Sequence, residues 1–296
     1  MPFGFDEFRV NEPTMAFRVL MDRYDIEMRV AQKIIDKGRL ICNEKSIKSK
    51  NQLIDGDMKV LRFIPKSKNL KPIFSTKEFM IFDKPSGVLV HPNKVSTPYS
   101  LLDEIRRFGG EKANGVHRID QETSGIVIAS KDRESEILLK GMFEKKLIQK
   151  RYLAWVRGKT DESFSVDKAI KIRDDYSTSK HKVEINSNGK EAKTLFKRLQ
   201  YREDIDASLL EVTPLTGRTH QIRIHLFHMK HPILGDPLYG VDFNISEAYL
   251  EDRLSVEDRV KFSGADRLML HANEVDFVLN GVRYILKSKA KLELKV

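Results

Sequence analysis

The sequence predicts an α+β protein built on a mixed, mostly antiparallel sheet, with a small basic α+β module ahead of it. Three observations lead there. Strand-like and helical stretches mix without a regular βαβ beat. Asn280-Gly281 sits between two alternating runs, the strongest short-range hairpin signal. A unit of about fifty residues precedes a polar, Pro-ended stretch that reads as a linker. The domains expected are therefore a front module over 14–66, a linker over 67–73 and a main domain over 74–296. At 296 residues the chain is long enough for one large domain with a small companion.

Taken in order, Ala16–Met21 is a short apolar-periodic helix. Met28–Lys37 is a second, with Val30, Ala31, Ile34 and Ile35 on one face and Gly38 as its stop. Arg39–Asn43 reads as a strand running into a turn, and Leu53–Val60 as a turn followed by a strand. Past the linker, Phe79–Phe82 and Gly87–Val90 are strand-like and flank the turn Lys84–Gly87. The apolar run Gly125–Ser130 suits a buried central strand. Glu134–Phe143 has helical spacing at Ile137, Leu138 and Phe143. Strands follow at Arg151–Val156, Lys193–Leu199 and Leu209–Thr213, and an amphipathic helix over Arg218–Met229 carries Ile222, Leu226 and Met229. Val275–Leu279 and Val282–Leu286 form the closing hairpin.

Composition limits the function classes. With 53 Lys and Arg against 43 Asp and Glu, the chain carries a formal charge of +10. Residues 1–70 hold fourteen basic and ten acidic groups, and Lys140–Lys159 has seven basic side chains against Glu144 alone. Two basic regions point to a long anionic partner such as RNA. Charged residues make up 32% of the chain and mean hydropathy is −0.43, which argues against a membrane partner. The start shows no basic segment followed by an apolar run, so a cytoplasmic location is expected. The single cysteine, Cys42, allows neither an internal disulfide nor a Cys-type zinc site.

Several motifs fail. Arg157–Thr160 ends like a phosphate loop, but the first glycine would fall on Leu153. His117–Asp120 resembles a kinase catalytic loop, yet Gly125 stands where the magnesium-binding Asn belongs. His225, His228 and His231 would cluster on a helix, but no carboxylate or H-E-x-x-H base accompanies them, so no metal is expected. No helix-turn-helix pattern supports DNA as the partner.

The chemistry concentrates in two stretches. Gly115–Gly125 (GVHRIDQETSG) sends His117, Arg118 and Asp120 through a polar loop into the apolar run that follows. A carboxylate at the mouth of a core strand needs a neutralising partner. Leu215–His225 (LTGRTHQIRIH) places Arg218 behind a glycine at the start of a helix, where it can pair with a carboxylate and aim it.

HRIDQETSG resembles the HRLD-x-x-TSG signature of the RluA-type pseudouridine synthases. The likeness extends in family order through FDKPSGVLVHP (82–92), KRYLAWVRG (150–158), GKEAKTLFKRL (189–199), LTGRTHQIRIHL (215–226), HPILGDPLYG (231–240) and RLMLHA (267–272). The front module resembles the alpha-L RNA-binding fold of the ribosomal-protein S-four type, although Arg18–Asp22 departs from its usual opening.

The resemblance implies a pseudouridine synthase fold and an isomerase of RNA uridines that needs neither metal nor redox cofactor. It implies Asp120 as the catalytic carboxylate, Arg218 as its ion-pair partner and Tyr152 as the aromatic face of the uracil pocket. Ile222 is the expected apolar wall. Arg118 is the residue expected to fill the space left by a flipped nucleotide, and His117 to support the loop or touch phosphate. Lys84–Gly87 and the Lys140–Lys159 band are expected at phosphates. A monomer acting on RNA is expected, with 23S ribosomal RNA ahead of transfer RNA on the strength of the alpha-L likeness. A non-catalytic RNA-binding or ribosome-assembly factor on the same fold is the rival reading. Joint retention of Asp120, Tyr152 and Arg218 speaks against it. No role is assigned to the acidic stretch 241–266.

Overall fold

The computed structural model describes residues 3–175 and 179–294. Two compact units form, one from Met1–Lys68 with Pro92–Tyr99, the other from Asn69–His91 with Ser100–Val296.

In the first unit, helices Ala16–Tyr24 and Met28–Asp36 cover a four-stranded antiparallel sheet. Its longest strand, Phe3–Met15, pairs along most of its length with Leu53–Phe63. That strand lies ahead of residue 14, where the module was expected to start. Asp6, Glu7, Arg9 and Glu12 hide its alternation, and only Phe8 and Val10 turn partly toward the core. The core proper is Ala16, Val19, Leu20, Ala31, Ile35, Leu40, Cys42, Ile47, Ile54, Met58 and Val60. Val30, expected on the buried face of the second helix, is 43% exposed, because Ala31 and Ile35 alone meet the sheet squarely. Residues 53–60 are continuous strand rather than turn then strand. Asn43 explains the irregularity at Gly56: its side chain accepts the Asp57 amide at 2.9 Å and donates to the Asp55 carbonyl at 3.0 Å. Gly56 has φ +93°, and a Cβ there would lie 2.4 Å from Asn43 Oδ1.

The second unit is a mixed, mostly antiparallel sheet, as expected. Its eight-strand path runs Ser163–Asp167, Lys193–Arg202, Ala207–Pro214, Gln149–Arg157, Leu270–Leu279, Ser124–Ser130, Phe79–Lys84, Phe74–Ser75. Val282–Lys287 completes the hairpin on Leu270–Leu279, with Asn280 and Gly281 both at positive φ. One junction is parallel: His271 sits opposite Ser124 and Ala272 opposite Gly125. Backbones approach closely there. Gly125 has φ +106°, and a Cβ would stand 2.2 Å from the Ala272 carbonyl oxygen.

Gly87–Val90 is not a strand. Apart from a single bridge between Leu89 and Ser100 it is irregular, because it wraps around the buried Lys84 side chain. Helix Arg133–Glu144 forms, but Ile137 and Leu138 face outward while Leu139 and Met142 enter the core. The helix predicted from Arg218 begins only at Gln221 and ends at His228. It is not amphipathic, since Gln221 through Leu226 are all buried.

Candidate active site

Sheet register brings the first elements of the site together. Tyr152 lies opposite Ala272, and Ala272 lies opposite Gly125, so three adjacent strands align a row that ends at the Asp120 loop. That loop is stitched to the segment before it, carbonyl by carbonyl. The Gln121 carbonyl accepts from Lys84 Nζ at 2.9 Å and from the Gly87 amide at 3.0 Å. The Glu122 carbonyl accepts from Ser86 Oγ at 2.6 Å. Lys84 is wholly buried and also donates to the Pro85 and Val88 carbonyls at 3.0 and 2.6 Å. Burial drives its ammonium down to about 7 against the pull of Glu122 and Asp120. Lys84 therefore scaffolds the loop and has no reach to phosphate, contrary to expectation.

The carboxylate of Asp120 is 29% exposed, open to a ligand on one side. Its partner is not Arg218. Arg223 Nη1 donates to Asp120 Oδ2 at 3.4 Å, and the same guanidinium grips Asp236 with Nε and Nη2 at 2.7 and 2.8 Å. Arg218 is exposed and donates to the Glu191 carbonyl at 3.0 Å. The reason is local. His220 adopts a left-handed conformation at φ +52°, so the helix starts three residues past Arg218 and turns Arg223 inward. Arg223 is 4% exposed and Asp236 is fully buried. Burial pushes the Asp236 carboxyl up, but Arg223 and the amides of Leu238 and Tyr239 outweigh it and the net shift is downward. Burial likewise opposes the charge on Arg223, and Asp236 and Asp120 more than restore it.

Tyr152 and Ile222 share one buried cluster, with Ile119 of the Asp120 loop packed against it. Burial, then the charge on Asp120, raises the Tyr152 hydroxyl above its ordinary value. His117 does not face outward: Nε2 accepts the Ile128 amide at 3.0 Å and the ring lies 4.5 Å from Phe143. It supports the loop. Arg118, next to it, is exposed.

Sequence reasoning passed over His220, Asp236, Tyr239 and Glu122. His220 Nε2 stands 3.7 Å from Asp120 Oδ2, and its Nδ1 shares a 2.9 Å hydrogen bond with the Tyr239 hydroxyl. Asp236 and Tyr239 belong to HPILGDPLYG, where a carboxylate between a glycine and a proline amid apolar residues was the available signal. The three histidines expected on one face do not share a partner. His225 binds Thr194 Oγ1 and the Lys168 carbonyl, His231 binds the Arg157 carbonyl, and His228 is exposed.

The imidazoles of His117 and His220 are both held neutral. Burial, with Lys150, lowers His117 to about 3; burial, with Arg223, lowers His220 to about 4. An unfolded chain protonates each near 6.5, so below that pH it binds more protons than the folded chain. Stability is full above about 6.5 and falls as pH drops toward 4, by up to about 1.4 kcal/mol per pH unit for each group. Denaturation midpoints from pH 7.5 to 4.5 are expected to follow this slope. His220→Asn, which tolerates the left-handed backbone, should flatten it. An unchanged slope would contradict the buried neutral state of His220.

Known proteins now bear on this geometry. The RNA pseudouridylate synthase family model matches residues 78–228, half of the chain. A Helicobacter pylori protein named as an uncharacterized RNA pseudouridine synthase is 38% identical over 97% of this chain and 94% of its own length. The ribosomal large subunit pseudouridine synthase C of Vibrio cholerae is 30% identical over 91% of this chain and 86% of its own. Among solved structures, human RNA pseudouridylate synthase domain containing 1 superposes with a TM-score of 0.58 at 25% identity, covering 76% of this chain and 86% of that one. With the family model over half the chain and relatives along nearly all of it, the chain belongs to the RluA-type RNA pseudouridine synthases.

Proposed function

We propose that this enzyme isomerises uridine in large-subunit ribosomal RNA, with Asp120 as the reacting carboxylate. The observation that carries the reading is the half-open Asp120 side chain held on one oxygen by Arg223, beside the Tyr152–Ile222 wall. In the reaction the N1–C1′ bond breaks and a C5–C1′ bond forms. The C5 proton leaves to solvent and N1 acquires one, so no oxidant or reductant is consumed. Three routes remain open to the carboxylate: attack on the anomeric carbon, removal of the 2′ proton, or addition to carbon 6 of the ring.

A stacked uridine has to leave its helix to reach Asp120, at a cost of a few kcal/mol. The exposed Arg118, two residues before Asp120, is suited to stack in the space it vacates. The ribosomal target is supported by the likeness to the ribosomal large subunit pseudouridine synthase C of Vibrio cholerae. Tritium release from RNA labelled at carbon 5 of uridine tests it, with unmodified 23S rRNA and bulk tRNA side by side. Release from 23S rRNA is expected. Release from tRNA alone would move the substrate, and release from neither would overturn the reading on free RNA.

The first unit is proposed as an alpha-L-like RNA-holding module. Arg29, Lys33 and Lys37 recur every fourth residue along and just past helix Met28–Asp36, and all three are exposed. Replacing all three by Gln should weaken RNA binding and lower the slope of log affinity against log salt by about 2. Turnover at saturating RNA should persist. An unchanged slope would remove this helix from the RNA interface.

A further inference from the structure

The stretch 241–266, to which the sequence assigned no role, folds as two helices, Phe243–Leu250 and Val256–Ser263. Each sends one side chain to Glu122, two residues beyond Asp120. The Tyr249 hydroxyl donates to Glu122 Oε1 at 3.2 Å, and Arg259 Nη2 donates to Oε2 at 2.8 Å. The same Arg259 reaches the opposite side of the site as well. Its Nη2 and Nε donate to the Gly235 carbonyl at 2.6 and 3.1 Å, one residue before Asp236. Its guanidinium lies 5.6 Å from the centre of the Tyr249 ring, and the Arg259 and Glu122 side chains are only 11% and 15% exposed.

One guanidinium thus ties together two loops. The first carries Asp120, and the second carries Asp236, which orients Arg223. The contact those loops must align is loose by itself: Arg223 to Asp120 is 3.4 Å, against about 2.7–2.9 Å for a tight charge-assisted bond. Nothing in that pair fixes its own separation, so the backbones on either side have to. We infer that Arg259 is a positioning residue, which sets the spacing of Asp120 and Arg223 through Glu122 and the Gly235 carbonyl. The two helices of 243–263 are its mount. This rests on the reading of Asp120 as the reacting carboxylate.

A planar fork suits the task because Nη2 bridges the carboxylate and the carbonyl while Nε holds the same carbonyl from a second, fixed direction. Lysine at 259 offers a single nitrogen and loses the Nε bond that fixes the orientation of the fork. Loss of the tie should let the two loops drift, and a misplacement near 1 Å costs about 100-fold in rate.

The test uses the full chain. Arg259→Met, Arg259→Lys, Glu122→Gln, the Arg259→Met/Glu122→Gln double variant and Asp120→Asn are compared by single-turnover tritium release, RNA affinity and thermal midpoint. Arg259→Met is expected to lose about 10- to 100-fold in rate, with RNA affinity within about twofold of wild type. Arg259→Lys should recover part of the rate. The double variant should be no slower than the slower single, because both substitutions cut the same tie. Should Arg259→Met fail to fold, Glu122→Gln keeps the side-chain size and an acceptor and carries the same expectation.

Wild-type rates in Arg259→Met and Glu122→Gln would overturn the inference. So would rate and affinity losses that fall together and track the thermal midpoint, which is the signature of a merely structural brace. The Asp120→Asn arm separates the two readings. Turnover by that variant would mean that the assignment of Asp120 has failed. A silent Asp120→Asn beside a fully active Arg259→Met would mean that the positioning role alone has failed.

Discussion

Asp120→Asn should leave the enzyme folded and bound to RNA, with tritium release lowered about 10⁴-fold or more. The substitution is nearly isosteric. The amide oxygen can still face Arg223, whose charge remains neutralised by Asp236. The loop keeps the backbone bonds from Lys84, Ser86 and Gly87, none of which involves the Asp120 side chain. What disappears is the negative charge and the nucleophilic or basic oxygen, which every route open to Asp120 requires. Single-turnover release and filter binding on the same RNA make the comparison. A rate within tenfold of wild type would place the chemistry on another group.

Arg223→Met should be costly in both stability and rate. It strands the Asp236 carboxylate, fully buried, with only the amides of Leu238 and Tyr239 for company. Removing one partner of a buried ion pair costs about 3–5 kcal/mol. The same change frees Asp120, and loss of one oriented charged donor typically lowers turnover about 10²–10³-fold. Arg223→Lys keeps the charge but cannot grip Asp236 with two nitrogens while reaching Asp120 with a third. Arg218→Met is the matched control. Its lost contact is one exposed bond to the Glu191 carbonyl, so stability should move by no more than about 0.5 kcal/mol. Denaturant midpoints and single-turnover rates on the three variants check this. If Arg218→Met were the damaging one, the role of partner to Asp120 would return to Arg218.

The contrast between those two arginines shows where the sequence was legible. Ser124–Ser130 could be read because an unbroken apolar run beside a polar loop has few alternatives to a central strand. The closing hairpin could be read because Asn280-Gly281 accepts two positive φ values in succession. Asp120 stood out for the same local reason, a carboxylate at the mouth of that strand.

Arg223 did not stand out, because it lies between Ile222 and Ile224 on a helix buried nearly all round, where a charged side chain is least expected. Only the distant Asp236 makes its burial tolerable, and a partner 13 residues away across a turn leaves no periodic trace. Phe3–Met15 was missed for the opposite reason. Its charges look like loop, while its pairing with Leu53–Phe63 is a long-range fact. Glu122 and Arg259 are 137 residues apart and share no motif.

The position of Leu270–Leu279 has a consequence for the order of assembly. It separates Gln149–Arg157, which carries Tyr152, from Ser124–Ser130, which follows Asp120. It is also the last strand of the eight-strand path to be synthesised. Until it emerges, the earlier strands can pair only as two separate half-sheets, with Asp120 on one and Tyr152 on the other. A growing chain tethered to a ribosome holds both residues for more than a hundred peptide bonds without holding the row that joins them. The row that aligns Tyr152 with the Asp120 loop is thus completed late, when the dividing strand slots between the halves.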